Sequence, residues 1–233
     1  YTTDRLNRST RLEADTLESG ILINDGRGRF TFEPLPRLAQ ISPAFGVVVF
    51  DADADTHLDI VLAQNFFSTQ RETGRMDGGV GLMLRGRGDA TFDPVWPDRS
   101  GVIVPGDAMS LTTNDLNGDG RPDLVLAIND DRMMTFENRK ISEDRTLNLR
   151  LNGKPGNTTS IGARVTAQLD DGTVLVRELH AGSGYLSQSS STLSFGLEQQ
   201  SYVKQIDIVW PNGSKSQVTL DSGAAPITVV DQP

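Results

Sequence analysis

The chain repeats itself. Residues 46–65 and 110–129 superpose at an offset of 64: each has an apolar run, a loop with acidic residues at alternate positions, and a second apolar run, Ile60 to Ala63 or Leu124 to Ile128. A second pair, residues 26–34 and 86–94, superposes at an offset of 60 around a Gly-rich turn. A unit recurring every ~60 residues cannot bury its apolar face alone, so copies must stack on neighbours. Glycine turns between apolar runs predict β-hairpins. The strands after the acidic loops are apolar without alternation, which predicts burial on both faces. Each hairpin, followed by its acidic-loop strand pair, is therefore expected to form one antiparallel blade, and residues 1–140 are expected to form part of a β-propeller. Only two copies and a partial strand over Met133 to Asn138 are recognisable, whereas roughly four to eight blades close a propeller. The remainder is expected from blades outside the chain or from another chain. Asp4 to Ser19 has no period and is expected to be a short helix or an irregular lead-in.

From about Arg145 the pattern changes. Leu147, Leu149 and Leu151 alternate with polar residues, as do Val165, Ala167 and Leu169, and Ile206, Ile208 and Trp210 recur at every second position. Asp171-Gly172 and Asn212-Gly213 fall between alternating runs, the strongest short-range hairpin signal. Residues 141–233 are thus expected to form a second domain, an antiparallel β-sandwich or barrel of roughly six to eight short strands. The predicted fold class is all-β throughout.

Charge narrows the chemistry. Residues 1–140 hold 22 acidic and 15 basic side chains, and without the seven aspartates of the two repeated loops that segment would be formally neutral. Such a surface repels a phosphate backbone, so nucleic acid is not an expected partner. It suits cations instead. The first loop places Asp51, Asp53, Asp55 and Asp59 at positions 1, 3, 5 and 9; the second places Asp115, Asn117, Asp119 and Asp123 there. Alternating hard oxygen donors on a tight loop can converge on Ca²⁺, which takes six to eight oxygens, and the main-chain carbonyls of His57 and Arg121 at position 7 would add one each. Two Ca²⁺ sites are expected. Mg²⁺ suits them less, because it demands a stricter octahedron. In the first loop Thr56 replaces the glycine at the sharp turn, and its branched Cβ tolerates a positive φ poorly, so that loop is expected to be strained or to bind more weakly.

Other residues carry less. The absence of cysteine excludes disulfides and thiolate sites. His180 lies near the serines of 187–194, but no nucleophile-elbow pattern accompanies it. Gly182-Ser183-Gly184 reads as a tight turn, and Tyr185 and Trp210 read as packing aromatics rather than a sugar platform. No stretch is apolar enough to span a membrane as a helix. Any secretion signal is expected to lie outside the sequence, which opens on Tyr1.

The run Asp115-Leu116-Asn117-Gly118-Asp119-Gly120-Arg121-Pro122-Asp123 resembles the calcium loop of FG-GAP/VCBS-type propeller repeats. Residues 145–231 resemble the ASPIC/UnbV domain through Ile161-Gly162-Ala163-Arg164-Val165, Gly182 to Ser189, Ser194-Phe195-Gly196-Leu197 and Val209-Trp210-Pro211-Asn212-Gly213. Together they resemble the cartilage acidic protein-like family. The resemblance implies a secreted, calcium-loaded protein at an extracellular, cell-surface or periplasmic address, and it implies no reaction. The expected function is a calcium-binding structural and interaction module that presents a rigid β surface to a protein or glycan partner in adhesion, not an enzyme. Two alternatives stand beside it. One is a carbohydrate-active hydrolase or lyase with structural calcium, drawing on Asp77, Asp107, Asp130 and Asp131. The other is a non-catalytic subunit of a larger assembly.

Overall fold

The structure is a computed structural model that describes residues 2–139, 145–220 and 227–233. The expected domain boundary at 140/141 lies outside the described residues. The chain divides into two compact units, Tyr1–Leu35 and Pro36–Pro233.

In the first unit the lead-in holds a short helix, α1 (Thr3–Asn7), followed by irregular chain. Strands β1 (Gly20–Asn24) and β2 (Phe30–Pro34) then pair antiparallel. Their turn uses Gly26 and Gly28 at φ 74° and 82°, and Asp25 Oδ1 accepts hydrogen bonds from the Arg27 and Arg29 N–H groups. The Gly-rich segment is therefore a hairpin, as its sequence predicts.

The second unit opens with a 3₁₀ turn, Arg37–Gln40, and a four-stranded antiparallel sheet in the order β3 (Ala44–Phe50), β4 (Asp59–Gln64), β5 (Leu82–Gly86), β6 (Phe92–Val95). A short helix α2 (Pro97–Ser100) leads to a three-stranded sheet, β7 (Ala108–Asn114), β8 (Asp123–Ile128), β9 (Met134–Phe136). Sheet boundaries are shifted relative to the repeat read from sequence. Each sheet starts with the acidic-loop strand pair, and the first ends with the next repeat's Gly-rich hairpin, because β5 pairs with the free edge of β4. The hairpin that precedes an acidic loop in sequence is not part of that loop's sheet.

The two sheets share one core. Val48, Val61 and Ala63 pack in one cluster with Ala108, Leu111, Leu124 and Leu126, which Val102 and Val104 join. Gly46 permits the close approach, since a Cβ there would lie 2.8 Å from that of Leu111. Every residue of β4 is buried, as its unbroken apolar run predicts. Strand β8 is buried mainly on one face, with Val125 half-buried and Ala127 exposed.

The remaining strands are β10 (Arg145–Asn152), β11 (Arg164–Leu169), β12 (Val174–Glu178), β13 (Leu193–Leu197), β14 (Val203–Val209), β15 (Lys215–Thr219) and β16 (Ile227–Asp231). They form two open sheets, β13-β10-β16 and β12-β11-β14-β15, so the barrel alternative does not hold. Their inward residues, among them Leu149, Phe195, Val165, Ile206 and Trp210, make one core. Pairing is antiparallel except for β10 with β16. Strand β16 arrives from the opposite sheet rather than through a hairpin, so no tight turn imposes the antiparallel direction. Trp210 is buried, and its indole N–H donates to Ser216 Oγ at 2.8 Å, which makes it a core residue.

Candidate metal centre

Both acidic loops join the first two strands of their sheet at the same register, with Phe50 opposite Asp59 and Asn114 opposite Asp123. They fold alike because their first and ninth carboxylates share backbone donors at positions 2, 5 and 6 and at the end of the third strand. Asp51 accepts from the N–H groups of Asp55 (3.1 Å) and Thr56 (2.8 Å), while Asp115 accepts from those of Gly118, Asp119 and Gly120 (2.8, 3.1 and 2.9 Å). Asp59 accepts from the N–H groups of Ala52 and Gly86, and Asp123 from those of Leu116 and Asn138. Positions 4 and 6 are left-handed in both loops: Gly118 and Gly120 at φ 77° and 86°, and Ala54 and Thr56 at 58° and 72°. The first loop thus adopts, without glycine, a conformation that costs an L-residue of order 1–2 kcal/mol. This is the strain expected of Thr56.

The loops differ in electrostatics. Ligand oxygens of Asp51, Asp53 and Asp59 lie within 4.8 Å of one another, and Asp115, Asp119 and Asp123 do not form a group this tight. Burial, followed by repulsion from Asp55 and Asp59, raises the Asp51 pKa to about 7. Burial also raises Asp59 to about 6, partly opposed by its two backbone hydrogen bonds. In the second loop burial pushes Asp119 up, but hydrogen bonds from the Arg121 backbone, Asn117 and the Arg121 guanidinium outweigh it and hold the carboxyl below its usual range. The acids held above their usual range are Asp51 and Asp59 of the first loop.

The other expected ligands are placed as follows. Asp55 Oδ2 receives Arg85 Nη2 at 2.8 Å, and the same nitrogen lies 2.9 Å from Asp53 Oδ2. The His57 ring packs over the Gly88 turn. Asn117 Nδ2 donates to Asp119 Oδ2 and Glu137 Oε1, each at 3.1 Å. Arg121 reaches Asp119 Oδ2 at 2.6 Å and the Asn138 carbonyl at 3.1 Å. Arg85 and Glu137, at the ends of β5 and β9, escape the sequence reading because strand register alone brings them to the loops.

Both loops also meet the C-terminal sheets. Asn148 on β10 donates to the Gly120 carbonyl at 2.7 Å and accepts from Ser194 on β13 at 2.7 Å. Gly196 on β13 lies against the first loop: a Cβ there would sit 2.7 Å from Ala54 Cα and closer still to Asp51 Oδ2. Arg177 on β12 stacks 5.4 Å from the Phe195 ring centre. Burial pulls its pKa down, and the Asp51 carboxylate opposes that shift. Between the second loop and β10/β13 lies a polar cleft of about 180 Å³, lined by Asp115, Asn148, Arg150, Ser190, Thr192 and Ser194 among others.

Residues 153–232 match the family described as ASPIC and UnbV. The match takes in β11 to β16 and therefore Arg177, Ser194 and Gly196, while β10 with Asn148 lies just ahead of it. It contains all the C-terminal segments on which the sequence resemblance rests. No curated protein matches the chain. In the ASPIC and UnbV segment, Gly182 to Ser190 runs along β7: Ser187 Oγ donates to the Leu111 carbonyl at 3.2 Å, and Ser190 N–H to the Thr113 carbonyl at 3.0 Å. Those serines are engaged in packing the segment onto β7. His180 is exposed, 3.8 Å from Glu178. Tyr185 packs on Phe45 at 5.2 Å between ring centres. No described helix is long and apolar enough to cross a membrane.

Proposed function

We propose that the protein is a calcium-loaded extracytoplasmic interaction module, whose FG-GAP-type blades and ASPIC and UnbV sandwich together present a rigid β surface to a protein or glycan partner. One observation carries the reading. Oxygens of Asp51, Asp53 and Asp59 converge within 4.8 Å in a half-buried loop, and two of these acids are pushed toward protonation by burial and by repulsion from other acids of the loop. Carboxylates in that state fit a hard divalent cation, which would relieve the repulsion and take up the oxygens the loop already aims inward. Asp51, Asp53, Asp55 and Asp59 would hold it in the first loop, and Asp115, Asn117, Asp119 and Asp123 in the second, with the His57 and Arg121 carbonyls. The chain's own contribution is to fix those oxygens through the loop hydrogen bonds and through Gly196 and Asn148 of the sandwich.

If folded protein alone binds Ca²⁺, stability rises by RT ln(1 + [L]/Kd), about 2.7 kcal/mol at a hundredfold excess over Kd. Thermal unfolding in chelator and in millimolar Ca²⁺ is the direct test. A raised midpoint that Asp119→Ala and Asp55→Ala each reduce is expected; identical midpoints in the two buffers would sink the reading.

A further inference from the structure

We infer that one register position, the residue just beyond the apolar end of each sheet's third strand, tunes the cation affinity of the adjoining loop in opposite senses, with Arg85 weakening the first site and Glu137 supplying a further carboxylate to the second. The inference rests on the calcium reading above. The two residues are equivalent by strand pairing. Ile60 faces Leu84 in one sheet and Leu124 faces Phe136 in the other, so Arg85 and Glu137 are each the next residue along. The residues after them, Gly86 and Asn138, donate their N–H groups to the ninth-position acids Asp59 and Asp123 at 2.8 and 2.7 Å. The two loops therefore have the same frame, and the side chain between those fixed points carries opposite charge.

Arg85 engages positions 3 and 5 of its loop, and Glu137 engages position 3 of the other. Arg85 Nη2 bridges Asp53 and Asp55, so a guanidinium already neutralises two of the four acids. A dication entering this loop must take Asp53 and Asp55 from Arg85 or lie beside a like charge, and either outcome lowers its affinity. Glu137 Oε1 meets Asn117, whose amide also contacts Asp119, while Arg139 occupies Oε2 at 2.8 Å and holds the carboxylate below its usual pKa. The oxygen turned toward the loop is the one Arg139 leaves. Two differences compensate: Asn117 removes the acid that Asp53 provides, and Glu137 restores the count to four carboxylates. Arg121, on Asp119, is the second loop's own opposing cation.

The test is isothermal titration of Ca²⁺ into chelator-stripped full chain, with Asp55→Ala and Asp119→Ala assigning the two sites. Arg85→Met, which keeps the apolar stem, is expected to tighten the first site on the order of tenfold and leave the second unchanged, as expected for one unit charge beside a dication at a half-exposed site. Arg85→Lys keeps the charge and is expected to stay near wild type. Glu137→Gln is expected to weaken the second site on the order of tenfold and spare the first. Two sites unmoved by either substitution, or a first site weakened by Arg85→Met, overturn the inference while leaving the calcium reading intact. Wild-type protein that takes up no Ca²⁺ overturns both.

Discussion

Replacing Gly196 with alanine adds one methyl group on β13, in the sheet that packs against the first acidic loop. Gly196 is not in the left-handed region, so its backbone accepts alanine, and by itself the change would stabilise the fold by about 0.4–1 kcal/mol through the unfolded chain. Space reverses the sign. The new Cβ would lie 2.7 Å from both Ala54 Cα and Asp51 Cγ, where ordinary contact needs more than about 3.4 Å. Asp51 cannot swing aside cheaply, because its two oxygens hold the N–H groups of Asp55 and Thr56. Overpacking of this kind costs about 1–3 kcal/mol, and each loop hydrogen bond lost adds about 1. The expected net effect is a destabilisation of about 1–3 kcal/mol, or some 2–4 °C in Tm per kcal/mol for a folded unit of this size. Calorimetric unfolding in chelator measures it, and Ca²⁺ titration should show weakening at the first site with the second spared. A Tm equal to or above wild type would refute the argument that the C-terminal sheet braces the first loop.

Thr56→Gly removes a β-branched side chain from φ 72° while keeping the N–H that Asp51 accepts, so it should raise stability by about 1 kcal/mol in denaturant titration. A loss of stability would show that the Thr56 side chain makes a compensating contact. The chelated protein should lose stability as pH rises from 5 to 8. Asp51 and Asp59 titrate at about 7 and 6 in the fold but near 3.9 when unfolded, so between those values the native state binds the extra protons and deprotonation favours unfolding. Saturating Ca²⁺ should flatten the slope, since both states are then deprotonated at these groups, and a chelated Tm that climbs over the same range would refute the pKa assignment.

What was legible in the sequence follows from how local each signal is. The loop spacing, the Gly-rich hairpins and the alternation after Arg145 are properties of ten or so consecutive residues, and they predicted the acidic turns, β1–β2, β5–β6 and most strands of the sandwich. Sheet membership is not local. The repeat reads hairpin first because Gly26 and Gly86 precede the acidic runs, yet hydrogen bonding starts each sheet at the acidic pair, a choice made by the free edge of β4. Likewise Leu147 to Leu151 predicts a strand, but nothing in that run predicts that β16 returns to it in parallel.

The same distinction explains the site. Composition and spacing ranked the second loop ahead of the first, since Gly118 and Gly120 suit the turn and Ala54 and Thr56 do not. In the fold the first loop holds the tighter group of carboxylates and the higher pKa values. The reversal has a physical cause: Gly196 and the core around β4 exclude water from Asp51 and Asp59, and burial penalises charge more than turn strain penalises shape. Turn propensity measures how readily a loop forms, whereas its demand for a cation depends on what covers it. Part of that cover, Gly196, comes from the ASPIC and UnbV segment more than 130 residues further along the chain. The first acidic loop and that segment are therefore packed against each other: loosening either should register in the other, and the Gly196 substitution measures that coupling.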